Sequence, residues 1–270
     1  MKVIALHRLL LLSSFVLGCF ATYLAYTFSI HLAEKEAGKS FNEIAKVRVL
    51  EVNNHLQASQ NILWALKAFY DSSDDVTEID FTNFTTMLAT HDDAVTLLAW
   101  IEKTPVSKTT DEEPYLLRHQ YLASYDGQFI LDDSLMKYFQ KRKGSDDISR
   151  MLLGKETGNN NVLLSLPVYV KTDINEPQVE KKVKGFIVMI LDVTKLISYA
   201  INAFPVAPVQ VSVWEGDQKL GAIQSDGFGA QLKNTEYPES FLNYSEYVSF
   251  SRYSWNIITE GESSQFYTHT

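Results

Sequence analysis

The stretch NVLLSLPVYVKTDINEPQVEKKVKGFIVMILDVTKLI, from Asn161 to Ile197, decides the fold. It contains two apolar segments that are separated by a polar, charged spacer. Each apolar segment has the length of a β-strand. Neither alternates apolar and polar residues, as a strand with one solvated face would do. The stretch therefore predicts two strands of a sheet that is covered on both faces.

The first of these strands has two different faces, because side chains on a strand point alternately to opposite sides. The aliphatic face contains Val162, Leu164, Leu166, Val168 and Val170, and the mixed face contains Leu163, Ser165, Pro167 and Tyr169. We expect the aliphatic face to pack on a helix. The mixed face suits a small-molecule site, which is usually apolar with a few polar groups. Pro167 cannot donate a ladder hydrogen bond, so it should lie at a sheet edge or a strand end.

Composition limits the classes of function. The chain has 270 residues and is 46% hydrophobic, which suits one or two domains with real cores. Its net charge of −9 argues against a nucleic-acid partner, since phosphate binding needs a clustered positive surface. The densest basic run, QKRK at Gln140–Lys143, is predicted to be the solvated end of a helix. Cys19 is the one cysteine, which excludes an internal disulfide and a cysteine-based metal site.

The N-terminus is predicted to be a membrane anchor. A short basic segment, MKVIALHR, precedes an uncharged segment from Leu9 to Ile30. As a helix, this segment would span roughly 33 Å, enough for a bilayer core. Lys2 and Arg8 before it place the N-terminus in the cytoplasm and the body outside, in the periplasm or extracellular space. A cleaved signal peptide and a lipoprotein box at VLGC (Val16–Cys19) are the alternatives, and the apolar residues that continue to Ile30 disfavour both.

The anchor is followed by a predicted long amphipathic helix. Leu32 to Tyr70 contains no proline, and its apolar residues recur mostly at spacings of three or four. They are Phe41, Ile44, Val47, Leu50, Val52, Leu56, Ile62, Leu63, Leu66 and Phe69. The helix can continue the membrane helix, with a possible break near Gly38, and it can pair with its copy in a dimer or pack along its own domain.

The predicted order of elements from Leu32 is helix, helix, strand, strand, helix, strand, strand, strand, helix, followed by a smaller second set of strands. Asp132 or Asp133 is expected to cap the helix DDSLMKYFQKRK, and Asp192 or Thr194 the helix TKLISYAINAF. Turns are predicted at Asp126–Gly127 and at GKETGNN.

This organisation resembles an extracytoplasmic CHASE sensor domain, the module of plant cytokinin receptors and of many bacterial signalling receptors. The resemblance covers Phe41 to Gly261. It rests on FNEIAKVRVLEVNNHLQASQNILWALKAFYDSSDDV, FTNF, the strand that ends in Trp100, ETGNNNVLLSLPVYV, KGFIVMILDVTKLI and YSWNI. One departure is KTPVSKTTDEEP, which replaces a basic and aromatic segment of the family.

The resemblance implies an α+β fold in which a transmembrane helix continues into a long stalk helix that carries two PAS-like antiparallel-sheet subdomains. The implied parts are a cytoplasmic tip and anchor at 1–31, a stalk at 32–72, a membrane-distal ligand-binding subdomain at 73–204 and a membrane-proximal subdomain at 205–261. Residues 262–270 would be a tail leading to a second membrane span that this sequence does not contain. A cytoplasmic histidine kinase or cyclic-dinucleotide domain would follow that span.

The resemblance also implies ligand contacts. A small hydroxyl residue lies near the ligand in the plant receptors, two positions before the proline of the same motif, and Ser165 matches it. An aspartate before the central helix bonds the ligand there, and Asp132 and Asp133 both fit that place; a helix N-cap is the alternative role for each. Trp100, Tyr121, Phe129, Tyr169 and Met189 are weaker candidates, since aromatic residues on strands more often belong to the core.

No catalytic residue, cofactor or metal site is predicted. The chain lacks the HExxH, G-x-S-x-G, Walker and dinucleotide-binding patterns. The leading hypothesis is a sensor portion of a membrane receptor that binds a small molecule of unknown identity and that forms a homodimer through the stalk. The alternatives are an anchored protein-interaction module without a small ligand, and an exported hydrolase, which would need a clustered nucleophile and base.

Overall fold

The computed structural model describes residues 2–89, 93–104, 115–123, 129–142, 146–153, 161–170, 182–202, 208–225, 230–231, 241–262 and 266. The helices are α1 (Lys2–Ser72), α2 (Glu78–Ala89), α3 (Asp133–Lys141) and α4 (Val193–Asn202). The strands are β1 (Val95–Lys103), β2 (Tyr115–Leu122), β3 (Ser149–Leu153), β4 (Asn161–Tyr169), β5 (Val183–Asp192), β6 (Gln210–Glu215), β7 (Gln218–Ser225), β8 (Ala230–Gln231), β9 (Phe241–Phe250) and β10 (Tyr253–Glu262). Their order matches the predicted order of elements. The turns predicted at 126–127 and 154–160 lie outside the described residues.

Helix α1 is continuous over 71 residues, so the break considered near Gly38 does not form. At about 1.5 Å per residue, the helix is roughly 106 Å long. Its first part includes a segment with a mean hydropathy of 1.5, none of which is buried in the protein. By length and composition this segment can cross a membrane. Phe15 and Phe28, which are 73% and 72% exposed, belong to the surface that a bilayer would cover.

The second part of α1 is the support on which the body packs. Its buried apolar residues follow one stripe: Ala37, Phe41, Ala45, Val49, Val52, Leu56, Ile62, Leu63, Leu66 and Tyr70. Val47 and Leu50, which share the predicted apolar pattern, are instead 36% and 54% exposed. At about 100° per residue, both lie on the opposite side of the helix from this stripe. The sequence thus contains more apolar residues than the body covers.

The strands form two five-stranded antiparallel sheets. The distal sheet has the order β2-β1-β5-β4-β3, and the proximal sheet has the order β8-β7-β6-β10-β9. The distal sheet packs near the C-terminal end of α1, where Trp100 stacks on Tyr70 with ring centroids 4.3 Å apart. The proximal sheet packs nearer the apolar segment, where Gly261 lies beside Phe41. This architecture confirms the predicted fold class; the predicted domain boundaries stay a prediction.

The distal sheet is covered on both faces, as the sequence predicts. Val162, Leu164, Leu166 and Val168 of β4 belong to the same buried cluster as the inner stripe of α1. Leu163, on the opposite face of β4, belongs to a second cluster with α3. Val170, one residue beyond the strand, is 46% exposed. Pro167 also follows the prediction, because β3 pairs with β4 only from Asn161 to Ser165 and leaves Pro167 beyond its end.

Helix α4 connects the two sheets and packs on α1. Asp192 caps its N-terminus by accepting hydrogen bonds from the backbone N–H groups of Thr194 and Lys195, at 2.9 and 3.1 Å. At the other end, the buried Arg48 of α1 donates to the carbonyl oxygens of Ala200 and Ile201, at 2.5 and 2.9 Å. A cation is favourable at a helix C-terminus, where carbonyl groups lack helical partners. The hydrogen bonds of Arg48 therefore hold the C-terminal end of α4 against α1.

Candidate functional site

Helix α3 covers the Ser165 face of the distal sheet. Its buried residues, Leu135, Met136 and Phe139, pack on the inner residues of β1 and β5. Asp132 is its N-cap, with the backbone N–H of Leu135 donating to the Asp132 carboxylate at 2.8 Å. The amphipathic pattern and the cap together explain why this short segment is helical and which side it turns toward the sheet.

Ser165 is fully buried beneath the C-terminal end of α3. Its hydroxyl oxygen lies 2.9 Å from the hydroxyl of Tyr138, and it accepts a hydrogen bond from Nη1 of Arg142 at 3.0 Å. The same Nη1 donates to the carbonyl oxygen of Ser165 at 3.0 Å, and Nη2 donates to the carbonyl oxygen of Asp147 at 2.7 Å. The one polar side chain in the middle of β4 is thus contacted by a phenol and a guanidinium group.

A second arginine reaches the same place from the proximal sheet. Ser149 of β3 is the cross-strand partner of Ser165, and its hydroxyl accepts a hydrogen bond from Nη2 of Arg252 at 3.0 Å. Tyr253, next to Arg252, accepts from that guanidinium at 3.2 Å and from the backbone N–H of Arg150 at 3.3 Å. We call this group the junction cluster; it comprises Tyr138, Arg142, Ser149, Ser165, Arg252 and Tyr253.

The electrostatics of the junction cluster reflect burial first and the charges of its two arginines second. Burial lowers the pKa of Arg142, and the charge of Arg252 acts in the same direction. Burial alone would raise the pKa of Tyr253, but hydrogen bonds from Arg252 and from the Arg150 backbone outweigh burial and lower this pKa. The pKa of Tyr138 is raised by burial, partly offset by its hydrogen bond with Ser165 and by Arg142. Burial therefore opposes charge in the cluster, and the two arginines offset that effect at the tyrosines.

The predicted aspartates lie at the other end of α3 from the junction cluster. Asp132 is the helix cap, and Asp133 is an exposed residue of the first turn. Arg142 follows Asp132 by ten positions along the chain, so the two are separated by roughly 15 Å along the helix axis. Of the two predicted candidates for the N-cap, the structure selects Asp132.

Three of the weaker candidates lie on the α1 side of the distal sheet, opposite Ser165. Trp100 and Met189 are buried in the α1 cluster, and Tyr121 packs against it. Trp100 also explains Gly185 on the neighbouring strand, since a Cβ there would lie 2.5 Å from Cη2 of Trp100 and 2.3 Å from the carbonyl oxygen of Ile101. A single ligand beside Ser165 would be separated from these three side chains by the sheet.

Of the other two candidates, Phe129 lies on the Ser165 face, whereas Tyr169 lies at the end of β4, near both Lys67 of α1 and Asp146. Phe129 is buried in the cluster beneath α3. Tyr169 follows an irregularity in the β4–β5 pairing, and its ring centroid lies 5.8 Å from Nζ of Lys67 on α1. Burial, then a hydrogen bond with Asp146 and the charge of that carboxylate, raise the pKa of Tyr169 to about 12. Tyr169 is therefore protonated at physiological pH.

Sequence reasoning missed Tyr138, Arg142 and Arg252. The run Gln140–Lys143 is predicted to be a solvated helix end, whereas Arg142 within it is half-buried and bonded to Ser165. A signal for Arg142 was present, because it follows Leu135 by seven positions and falls on the buried face of α3. No signal pointed to Arg252, which is distant in sequence and comes from the other sheet.

A groove of about 530 Å³ lies apart from this site, between α1 and β9, with Lys46, Asn53, Tyr244 and Tyr247 in its lining. The described residues contain no group of three or more histidine, cysteine, aspartate or glutamate side chains placed to hold a metal ion.

No family model matches the chain, and no curated protein matches it. Solved structures do resemble it. An extracellular ligand-binding receptor from Desulfohalobium retbaense superimposes with a TM-score of 0.51 at 9% identity over 82% of this chain, which spans 40% of the length of that receptor. The periplasmic sensory domain of a Campylobacter jejuni chemoreceptor superimposes with a TM-score of 0.50 at 13% identity, over 85% of this chain and 96% of that domain. This chain therefore has the fold of periplasmic sensory domains: a long N-terminal helix that bears two antiparallel sheets.

Proposed function

We propose that the chain is the extracytoplasmic sensor portion of a membrane signalling receptor and that it binds a small molecule at the Ser165 face of the distal sheet. One observation carries the proposal. A single unbroken helix joins a membrane-length apolar segment to both sheets, and a cation-rich cluster lies where those sheets meet. A ligand that favours one arrangement of the sheets would thereby bias the helix that enters the membrane.

The proposed ligand contacts begin with Ser165, together with its neighbours Tyr138 and Arg142. Tyr169 and Phe129 would border the same face, and Asp132 or Asp133 would reach a ligand only if it extends along α3. Ligand contacts by Trp100, Tyr121 and Met189 stay a prediction that requires a ligand on the α1 side of the sheet.

The direct test is ligand screening by thermal unfolding. The full chain in lipid nanodiscs would be heated with a panel of metabolites, and unfolding would be followed by tryptophan fluorescence. A ligand that binds only the folded state raises the midpoint of unfolding. We expect at least one hit, and we expect Ser165→Ala to weaken it while Ser198→Ala on α4 does not. A panel that never shifts the midpoint would favour the alternative, an anchored protein-interaction module without a small ligand.

We propose that the body lies outside the cytoplasmic membrane and that the N-terminus lies in the cytoplasm. Lys2 and Arg8 support this orientation, since basic residues remain on the cytoplasmic side of a span. Alkaline phosphatase fused after residue 270 should be active in a bacterial host, because that enzyme folds only outside the cytoplasm. An inactive fusion that is present in normal amounts would reverse the orientation.

We also propose a homodimer through α1. Val47 and Leu50 are exposed on the side of the helix that the body leaves uncovered, and Trp64, 42% exposed, follows about four turns after Leu50 on that side. Parallel helices from one membrane would bring these residues together. Leu50→Glu should lower the dimer fraction in light-scattering measurements, and Gln218→Glu, at an exposed position of the proximal sheet, is the control for added charge.

We propose that this chain acts as a sensor rather than as an enzyme, and the two structural relatives named above, a receptor and a sensory domain, support that proposal. The narrower resemblance to CHASE domains, and the kinase or cyclic-dinucleotide output domain that it implies, stay predictions. Sequencing the gene beyond the codon for Thr270 is the simplest test of that output domain.

A further inference from the structure

The junction cluster contains many more hydrogen-bond donors than acceptors. A guanidinium group has five N–H donors and no acceptor, and two such groups, Arg142 and Arg252, meet here. In the described residues, the hydrogen bonds of these two side chains end on neutral oxygens: the hydroxyls of Ser149, Ser165 and Tyr253 and the carbonyls of Ser165 and Asp147.

The two guanidinium groups are close enough to repel each other. They bond to serines that face each other across the β3–β4 ladder, and the charge of Arg252 opposes protonation of Arg142. The nearby carboxylates are otherwise engaged or more remote. Glu215 pairs with Arg150, Asp146 bonds Tyr169, and Asp147 acts on Arg252 through its charge. Among the described residues, therefore, two like charges are held together and neither forms an ion pair with a carboxylate.

The backbone fixes the place of Arg252. Phe250 pairs with Tyr253, so Ser251 and Arg252 form the two-residue turn of the β9–β10 hairpin. Ser251 adopts a φ of 53°, the left-handed conformation that tight hairpins require. The turn points the guanidinium at Ser149 of the distal sheet. Arg142 thus comes from the end of the helix that covers the distal sheet, and Arg252 comes from a hairpin of the proximal sheet.

We propose that Arg142 and Arg252 together form a binding site for a small oxyanion, a carboxylate or a phosphate, at the junction of the two sheets. This inference rests on the proposed sensor function and names the ligand chemistry and the completing residue. An oxyanion would accept charge-assisted hydrogen bonds from both arginines and from the surrounding hydroxyls. Because Arg142 is bonded to the distal sheet and Arg252 extends from the proximal sheet, oxyanion binding favours the arrangement in which the sheets are drawn together.

The test uses the full chain in lipid nanodiscs with sodium succinate and sodium phosphate as probes, against sodium chloride of equal ionic strength. At ten times its dissociation constant, a bound probe should raise the midpoint of unfolding by roughly 3–6 °C. We expect Arg252→Gln to weaken that binding at least tenfold. Arg118→Gln is the matched control, since it removes an arginine of the distal sheet that pairs with Glu102 away from the cluster.

Each outcome decides the proposal. A shift with succinate alone identifies a carboxylate site, and a shift with phosphate alone identifies a phosphate site. If neither probe acts but another metabolite stabilises the chain, the oxyanion site is wrong and the sensor function stands. An equal shift in wild type and Arg252→Gln also overturns the site. Should Arg252→Gln fail to fold, Arg252→Lys keeps the charge but loses the planar fork, and it must still bind more weakly than wild type.

Discussion

Two single residues, Gly185 and Arg48, show how closely the elements of this protein are packed. Position 185 requires glycine, because the indole of Trp100 and the backbone of β1 occupy the space that a side chain would need. Arg48 donates hydrogen bonds to the last carbonyl groups of α4, which are buried against α1 and need a partner there. Neither role can be read from a sequence pattern, because each depends on which elements become neighbours.

Gly185→Ala should destabilise the protein. The new Cβ would lie 2.3 Å from a carbonyl oxygen, and overpacking of this kind costs about 1–3 kcal/mol. The matched control is Gly38→Ala, where a Cβ meets nothing within 4 Å and the helix should gain about 1 kcal/mol. Thermal unfolding in nanodiscs measures both, and midpoints that move in the same direction would contradict this account of Gly185.

Arg48→Met should lower the stability by roughly 2 kcal/mol, because the carbonyl groups of Ala200 and Ile201 lose a charged hydrogen-bond donor. The exposed Lys46→Met on the same helix should have little effect. A more stable Arg48→Met would show instead that the cost of burying the guanidinium exceeds what its hydrogen bonds return, as happens for some buried charges.

At the scale of elements, the strands and helices were predictable and their faces only partly so. For β4 the sequence indicates which residues face α1, because one face is aliphatic and the other carries Ser165. For β1 and β5 the sequence gives no such indication, because both strands are apolar on both faces and no local feature shows which face packs on α1. For this reason the sequence does not distinguish the face of Trp100 and Met189 from that of Ser165, although they lie on the opposite face of the sheet.

Asp132 offers a test that separates its two possible roles. Asp132→Ala removes the cap of α3 and should cost about 1 kcal/mol. Asp132→Asn retains a capping oxygen and should be nearly neutral for folding. If a ligand found by screening binds Asp132→Asn as tightly as wild type, the aspartate is a cap only. A loss of binding in this stable variant would make Asp132 a ligand contact.

At the scale of the whole molecule, the two sheets are joined at three places: both pack on α1, α4 connects them, and the junction cluster links their ends. Near that cluster, Arg150 of β3 forms an ion pair with Glu215 of β6, and its guanidinium lies 4.9 Å from the ring centroid of Tyr253. The sequence predicted the stalk and the two sheets. It could not predict the links, since each joins residues that are distant along the chain.

Because of these links, we expect the two sheets to open together. In hydrogen-exchange measurements, peptides from β1 and β10 should exchange with the same opening free energy. Glu215→Gln, which removes one partner of the inter-sheet ion pair, should lower the protection of β1 and of β10 by the same amount. Independent exchange of the two sheets in the wild-type protein would instead indicate that they are separate folding units.

The position of Pro167 has a consequence for the stability of the chain. Since β3 ends opposite Ser165, no strand lies beside the remainder of β4 on that side in the described part of the chain. The residues there, from Leu166 to Val168, are buried, so a backbone N–H group without an acceptor would be costly. Because proline has no backbone N–H, Pro167 removes one donor that would otherwise need a partner where β3 has ended.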